Sequence, residues 1–143
     1  MQPMKVLVVS ADPEVLEQME VTARSVRRRL GPRESLEILE ASDGVRAAKV
    51  AWRERPEVVL ADEITSRAGA FALTKELKGA DPPFAGKVVV LLDRSQDEWL
   101  AAWAGADGWA VKPLDPFELA DLVAADGDAA AGAAQDAAQE EAG

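Results

Sequence analysis

Asp62 closes the apolar run PEVVLAD, and Lys112 stands 50 residues later in the pair VKP. Two further carboxylates lie where apolar runs end, Asp12 in VLVVSADPE and Asp93 in VVVLLDR. The chain has no histidine and no cysteine, which removes the usual general base, the commonest metal ligand and all thiol chemistry. Carboxylates, lysine and hydroxyls remain. Thr65 and Ser66 follow Asp62 closely, yet no histidine is there to activate them as nucleophiles. No glycine-rich loop follows the first apolar run, and a nucleophile elbow and a Cys/His metal cluster are also missing. An independent enzyme is not expected. The segment after Val9 raises a specific question, because one carboxylate, Asp12, stands where a site of this kind would be expected to carry two or three.

These residues need elements to position them. Val6 to Val9, Val58 to Ala61 and Val88 to Leu92 are short continuous apolar runs, the pattern of parallel strands covered on both faces. SLEILEA alternates more, as an edge strand does, and DGWAV supplies a last strand. Asp12 and Pro13 form an N-cap and first-turn pair for a helix whose apolar positions run from Leu16 to Leu30, before Gly31 and Pro32 stop it. Shorter helices are expected at about Val45 to Glu54, Ala68 to Leu77 and Gln96 to Ala104, with PFELADLV as the last. Five strands alternating with five helices through right-handed crossovers give an open parallel α/β sheet with helices on both faces. Sites in such a sheet form outside the carboxyl ends of the strands, where SAD, ADEIT, LDR and VKP lie.

PEVVLAD together with AGADGWAVKPLDPFEL and ASDG at 41–44 resembles the receiver domain of response regulators, the CheY-like family, over roughly residues 4 to 123. The resemblance implies a flavodoxin-like three-layer sandwich with strand order 2-1-3-4-5. It places Asp62 at the phosphoacceptor position, Lys112 at the invariant lysine, Pro113 at the following proline and Trp109 at the switch aromatic. It also implies Mg²⁺, which with the lysine neutralises charge developing on a transferred phosphoryl group.

Several positions depart from the family pattern. The metal-binding acidic pair falls on Ser10 and Ala11, leaving Asp12 one place further on, where capping the first helix is its expected task. The switch hydroxyl falls on Leu92, which cannot hydrogen-bond a phosphoryl oxygen, and the small residue after it is Asp93, whose charge would repel that group. Ser66 replaces the proline of the loop after Asp62. The expectation is therefore a degenerate pocket in which Asp62 and Lys112 form a partly buried salt bridge, with a weak metal site at most on Asp62 and Asp12. The alternatives are a conventional Mg²⁺-dependent phosphoacceptor at Asp62, served by a sensor kinase, and a small-ligand sensor in the same pocket.

Composition narrows the partners. The net charge is -10, and AADGDAAAGAAQDAAQEEAG after Val123 carries five carboxylates and no basic residue. The expected organisation is a receiver-like domain over 1–125 and a flexible acidic tail over 126–143, with no fused output domain and a cytoplasmic location. The arginines at 24, 27, 28, 29 and 33 lie at the end of the first helix, where cations complement the helix dipole, so neither nucleic acid nor membrane is expected as a partner. Four of the seven aromatics are Trp. The family's interaction face of helix 4, strand 5 and helix 5 would carry Trp99, Trp103 and Trp109. Of these, Trp99, beside Leu100, is expected in the core, while Trp103 and Trp109 are candidates for exposure toward a protein partner or a second copy.

Overall fold

The computed structural model describes residues 3–25, 35–63, 69–113 and 115–124. Its elements alternate as β1 (Met4–Val9), α1 (Pro13–Ser25), β2 (Leu36–Ala41), α2 (Gly44–Glu54), β3 (Val58–Asp62), α3 (Ala70–Lys78), β4 (Lys87–Leu92), α4 (Glu98–Ala104), β5 (Gly108–Val111) and α5 (Pro116–Ala124). A 3₁₀ turn over Ser95–Asp97 leads into α4. All strand pairs are parallel, in the order β2-β1-β3-β4-β5. This is the CheY-like arrangement.

The continuous apolar runs bury both sides of the sheet, as parallel strands do when helices cover each face. Leu7, Val9, Val59, Ala61, Val88, Val90 and Leu92 pack with residues of α2, α3 and α4. Their neighbours Val6, Val8, Val58, Leu60, Val89 and Leu91 pack on the other side with Met19 of α1 and Leu119 of α5. One residue of register slip would exchange these two sets. β2 forms one edge, and its intermittent burial matches its alternating sequence.

Local chemistry sets the helix ends. Asp12 Oδ1 accepts from the Glu14 amide at 2.9 Å, and the Asp12 carbonyl accepts from Leu16 N, so Asp12 caps α1. Asp43 does the same for α2, accepting from Arg46 N at 2.8 Å. Gly105 ends α4 with φ of 94°, the left-handed conformation that favours glycine. The expected continuation of α1 to Leu30, the arginines at 27, 28, 29 and 33, and the acidic segment 126–143 lie outside the described residues. Among the described residues no helix is long and apolar enough to cross a membrane.

Candidate functional site at the carboxyl ends of β1, β3, β4 and β5

The register brings the candidate residues together. β1 pairs with β3, β3 with β4 and β4 with β5, so Ser10, Asp62, Asp93 and Lys112 all arrive at one end of the sheet. The Lys112 amide extends the last ladder by donating to Leu92 O at 2.8 Å. The peptide bond between Lys112 and Pro113 is cis. Ala11, Asp12, Pro13, Val15, Asp62, Asp93 and Lys112 line an open cleft of about 560 Å³.

Asp62 is 1% exposed at the floor of this cleft. Its Oδ1 lies 2.5 Å from Lys112 Nζ, and its Oδ2 accepts from the Ser10 hydroxyl at 2.7 Å. Ser10 is itself fully buried, and its Oγ also accepts from Asp12 N at 3.1 Å. Lys112 Nζ reaches a second carboxylate, Asp93 Oδ1, at 2.8 Å. Burial works to lower the Lys112 ammonium, but its hydrogen bonds to Asp62 and Asp93 and the charges of both outweigh that, holding it above the ordinary lysine value.

A second carboxylate layer lies behind Asp93. Glu63 Oε2 accepts from Asp93 N at 2.7 Å. Burial raises the Glu63 carboxyl, reinforced by its hydrogen bond with Asp97. That same bond lowers Asp97, which also pairs with Arg94 at 3.2 Å. Glu63 carried no signal in the sequence beyond standing next to Asp62.

The implied Mg²⁺ can be tested against the donor set. Mg²⁺ takes oxygen ligands in near-octahedral order, anchored by one or two carboxylates. Here Ala11 offers no side-chain oxygen, Asp12 Oδ1 is committed to its helix cap and Asp93 Oδ1 to Lys112. Among the described residues no three His, Cys, Asp or Glu side chains are grouped so as to hold a metal ion. Each carboxylate lining the cleft has at least one oxygen engaged, Asp62 by Lys112 and Ser10, Asp93 by Lys112 and Asp12 by the α1 cap. Leu92 is fully buried in the core, and Thr65 and Ser66 lie outside the described residues.

The tryptophans need correction. Trp99 is 66% exposed, because α4 turns the small Ala101 and Ala104 inward and Trp99 stands roughly 200° around the helix from Ala101. Trp103, one turn on, is 60% exposed, with the Lys75 ammonium of α3 over its ring, 3.5 Å from the centroid. Trp109 is buried, and its indole N–H donates to Glu98 Oε2 at 3.3 Å. Phe117 at the start of α5 is also exposed.

No family model matches the chain. It is 28% identical over 118 residues to "Probable transcriptional regulatory protein TcrX" of Mycobacterium tuberculosis, covering 82% of this chain and 47% of that protein. It is 28% identical over 87 residues to the alkaline phosphatase synthesis transcriptional regulatory protein PhoP of Bacillus subtilis, covering 61% and 36%. The chain thus spans about half or less of the length of these relatives. A LuxR-family two-component response regulator from Aurantimonas superposes with a TM-score of 0.71 at 23% identity, over 99% of this chain and 100% of that one. The receiver domain of a sensor histidine kinase from Pseudomonas aeruginosa, with a magnesium ion coordinated in its active-site cleft, gives 0.70 at 19%, over 85% and 95%. Chemotaxis protein CheY4 of Vibrio cholerae gives 0.67 at 22%, over 82% and 93%. The sequence relatives are response regulators, and the structural neighbours are receiver domains.

Proposed function

We propose that this chain, a response-regulator receiver domain by its fold and its relatives, serves two-component signalling without being switched at Asp62, and acts through protein contacts. The observation that carries the reading is the state of Asp62: Lys112 and Ser10 each hold one of its carboxylate oxygens. A carboxylate that attacks a phosphoryl group must present an oxygen to it, and the charge developing on that group must be neutralised. The single ammonium is shared between Asp62 and Asp93. Leu92 supplies no hydroxyl, and the Asp93 carboxylate adds negative charge where a phosphoryl group would enter.

Contacts then fall to the face of α4, β5 and α5, where Trp99, Trp103 and Phe117 are exposed. Neighbouring exposed aromatic side chains such as Trp99 and Trp103, one turn apart on α4, mark a surface for a protein partner or a second copy. A second reading, Mg²⁺-dependent phosphorylation of Asp62 by a sensor kinase, draws on the contact between Lys112 and Asp62. Incubation of the full chain with acetyl phosphate and Mg²⁺, followed by intact-mass measurement, separates the two. No covalent adduct is expected; an adduct that disappears in Asp62→Asn selects the second reading.

A further inference from the structure

We infer that the pocket works without a divalent cation, the Ser10 hydroxyl and the Lys112 ammonium giving Asp62 the two compensating contacts that an ion would otherwise supply. The inference rests on reading Asp62 as the centre of a receiver pocket, and its readout is ion binding rather than phosphorylation.

An ion approaching Asp62 meets both oxygens already engaged, at 2.5 Å by Lys112 and at 2.7 Å by Ser10. The Ser10 contact is buried on both sides, so displacing it would strand a polar group away from water. Displacing the ammonium would release Asp93 as well, since Nζ is shared with Asp93 Oδ1. An ion that displaced neither would sit beside a positive charge. The elevated Lys112 ammonium keeps that charge in place across the neutral range.

Anchoring oxygens are also short at the mouth. Ala11 is exposed there with no oxygen in its side chain, and Asp12 is turned to the Glu14 amide. Among the side chains at the three strand ends after β3, β4 and β5, Asp62, Asp93 and Lys112 form one ion-paired cluster, beside the Glu63 contact to the Asp93 amide. Ser10 is a positioning residue in this cluster, and it joins β1 to the other three.

Mn²⁺ titration of the full chain, read from the electron paramagnetic resonance signal of the free ion, tests this. The native chain should show no saturable binding at millimolar Mn²⁺. Ala11→Asp, at an exposed position, should gain at least about tenfold in affinity, and Ser10→Asp with Ala11→Asp should gain more. Saturable binding by the native chain that is lost in Asp62→Asn overturns the inference. Folded variants that bind no better than the native chain overturn the assignment to the missing carboxylates; if the double variant does not fold, Ala11→Asp alone decides. Mn²⁺ binding by a chain that takes no phosphoryl group defeats this inference only. Phosphorylation of a chain that binds no Mn²⁺ defeats the proposed function only.

Discussion

The Ser10 hydroxyl donates to Asp62 Oδ2 at 2.7 Å with both residues buried, joining the end of β1 to the end of β3. A hydrogen bond to a charged group contributes more than one between neutral groups, and its loss here would take one donor away from a buried carboxylate. Ser10→Ala should cost about 2 kcal/mol in urea unfolding. A change below about 0.5 kcal/mol would mean that this contact does not hold the strand ends.

Lys112 should matter more. Removing one partner of a buried ion pair costs about 3 to 5 kcal/mol, and because the Lys112 side chain is 26% exposed, Lys112→Met should fall near the lower end. Asp93→Ala should cost far less, since its side chain is 35% exposed and the Asp62 contact survives. Equal losses for the two variants would contradict the hierarchy.

The aromatic residues predict opposite outcomes on one face. Trp109→Ala empties a buried site and should cost about 3 to 5 kcal/mol. Trp99→Ala should stay within about 0.5 kcal/mol of the native chain, yet weaken any association measured by sedimentation. Unchanged association in Trp99→Ala with Trp103→Ala would remove the face from the account.

On α1, the hydrogen bond that the protonated Glu20 carboxyl donates to Glu40 raises it to about 7 from an ordinary 4.5, with burial adding to it. Its folded value lies above its unfolded one, so the pair's contribution is fully present below about 4.5 and is lost as pH rises through about 7. Thermal unfolding should therefore lose this part of its stability between those two values, and Glu20→Gln should flatten that segment of the profile. An unaltered profile would show that Glu20 and Glu40 do not share a proton.

Much of the fold was legible because parallel strands buried on both faces read as unbroken apolar runs, as in Val6 to Val9 and Val88 to Leu92. The position of Asp62 followed from the end of such a run. The phase of α4 did not, because Leu100 beside Trp99 suggested an apolar inner face, whereas close packing selected the smaller Ala101 and Ala104. Nor did the second bond of Lys112: Asp93 becomes its neighbour through the register of β4 and β5, which no local pattern specifies. Asp93 read as a charge repelling a phosphoryl group; in the structure it also holds the ammonium. The hydroxyl of Ser10 gave no warning that it would turn inward to Asp62.

Tryptophan fluorescence titrated with Mg²⁺ and then with beryllofluoride tests the central claim most directly, because buried Trp109 lies on β5 close to Lys112 and its indole is bonded to Glu98 of α4. With Asp62 held by Ser10 and Lys112, the signal should stay flat through both additions. A saturable change that vanishes in Asp62→Asn would show that the pocket still takes a phosphoryl-like group, and would contradict the account.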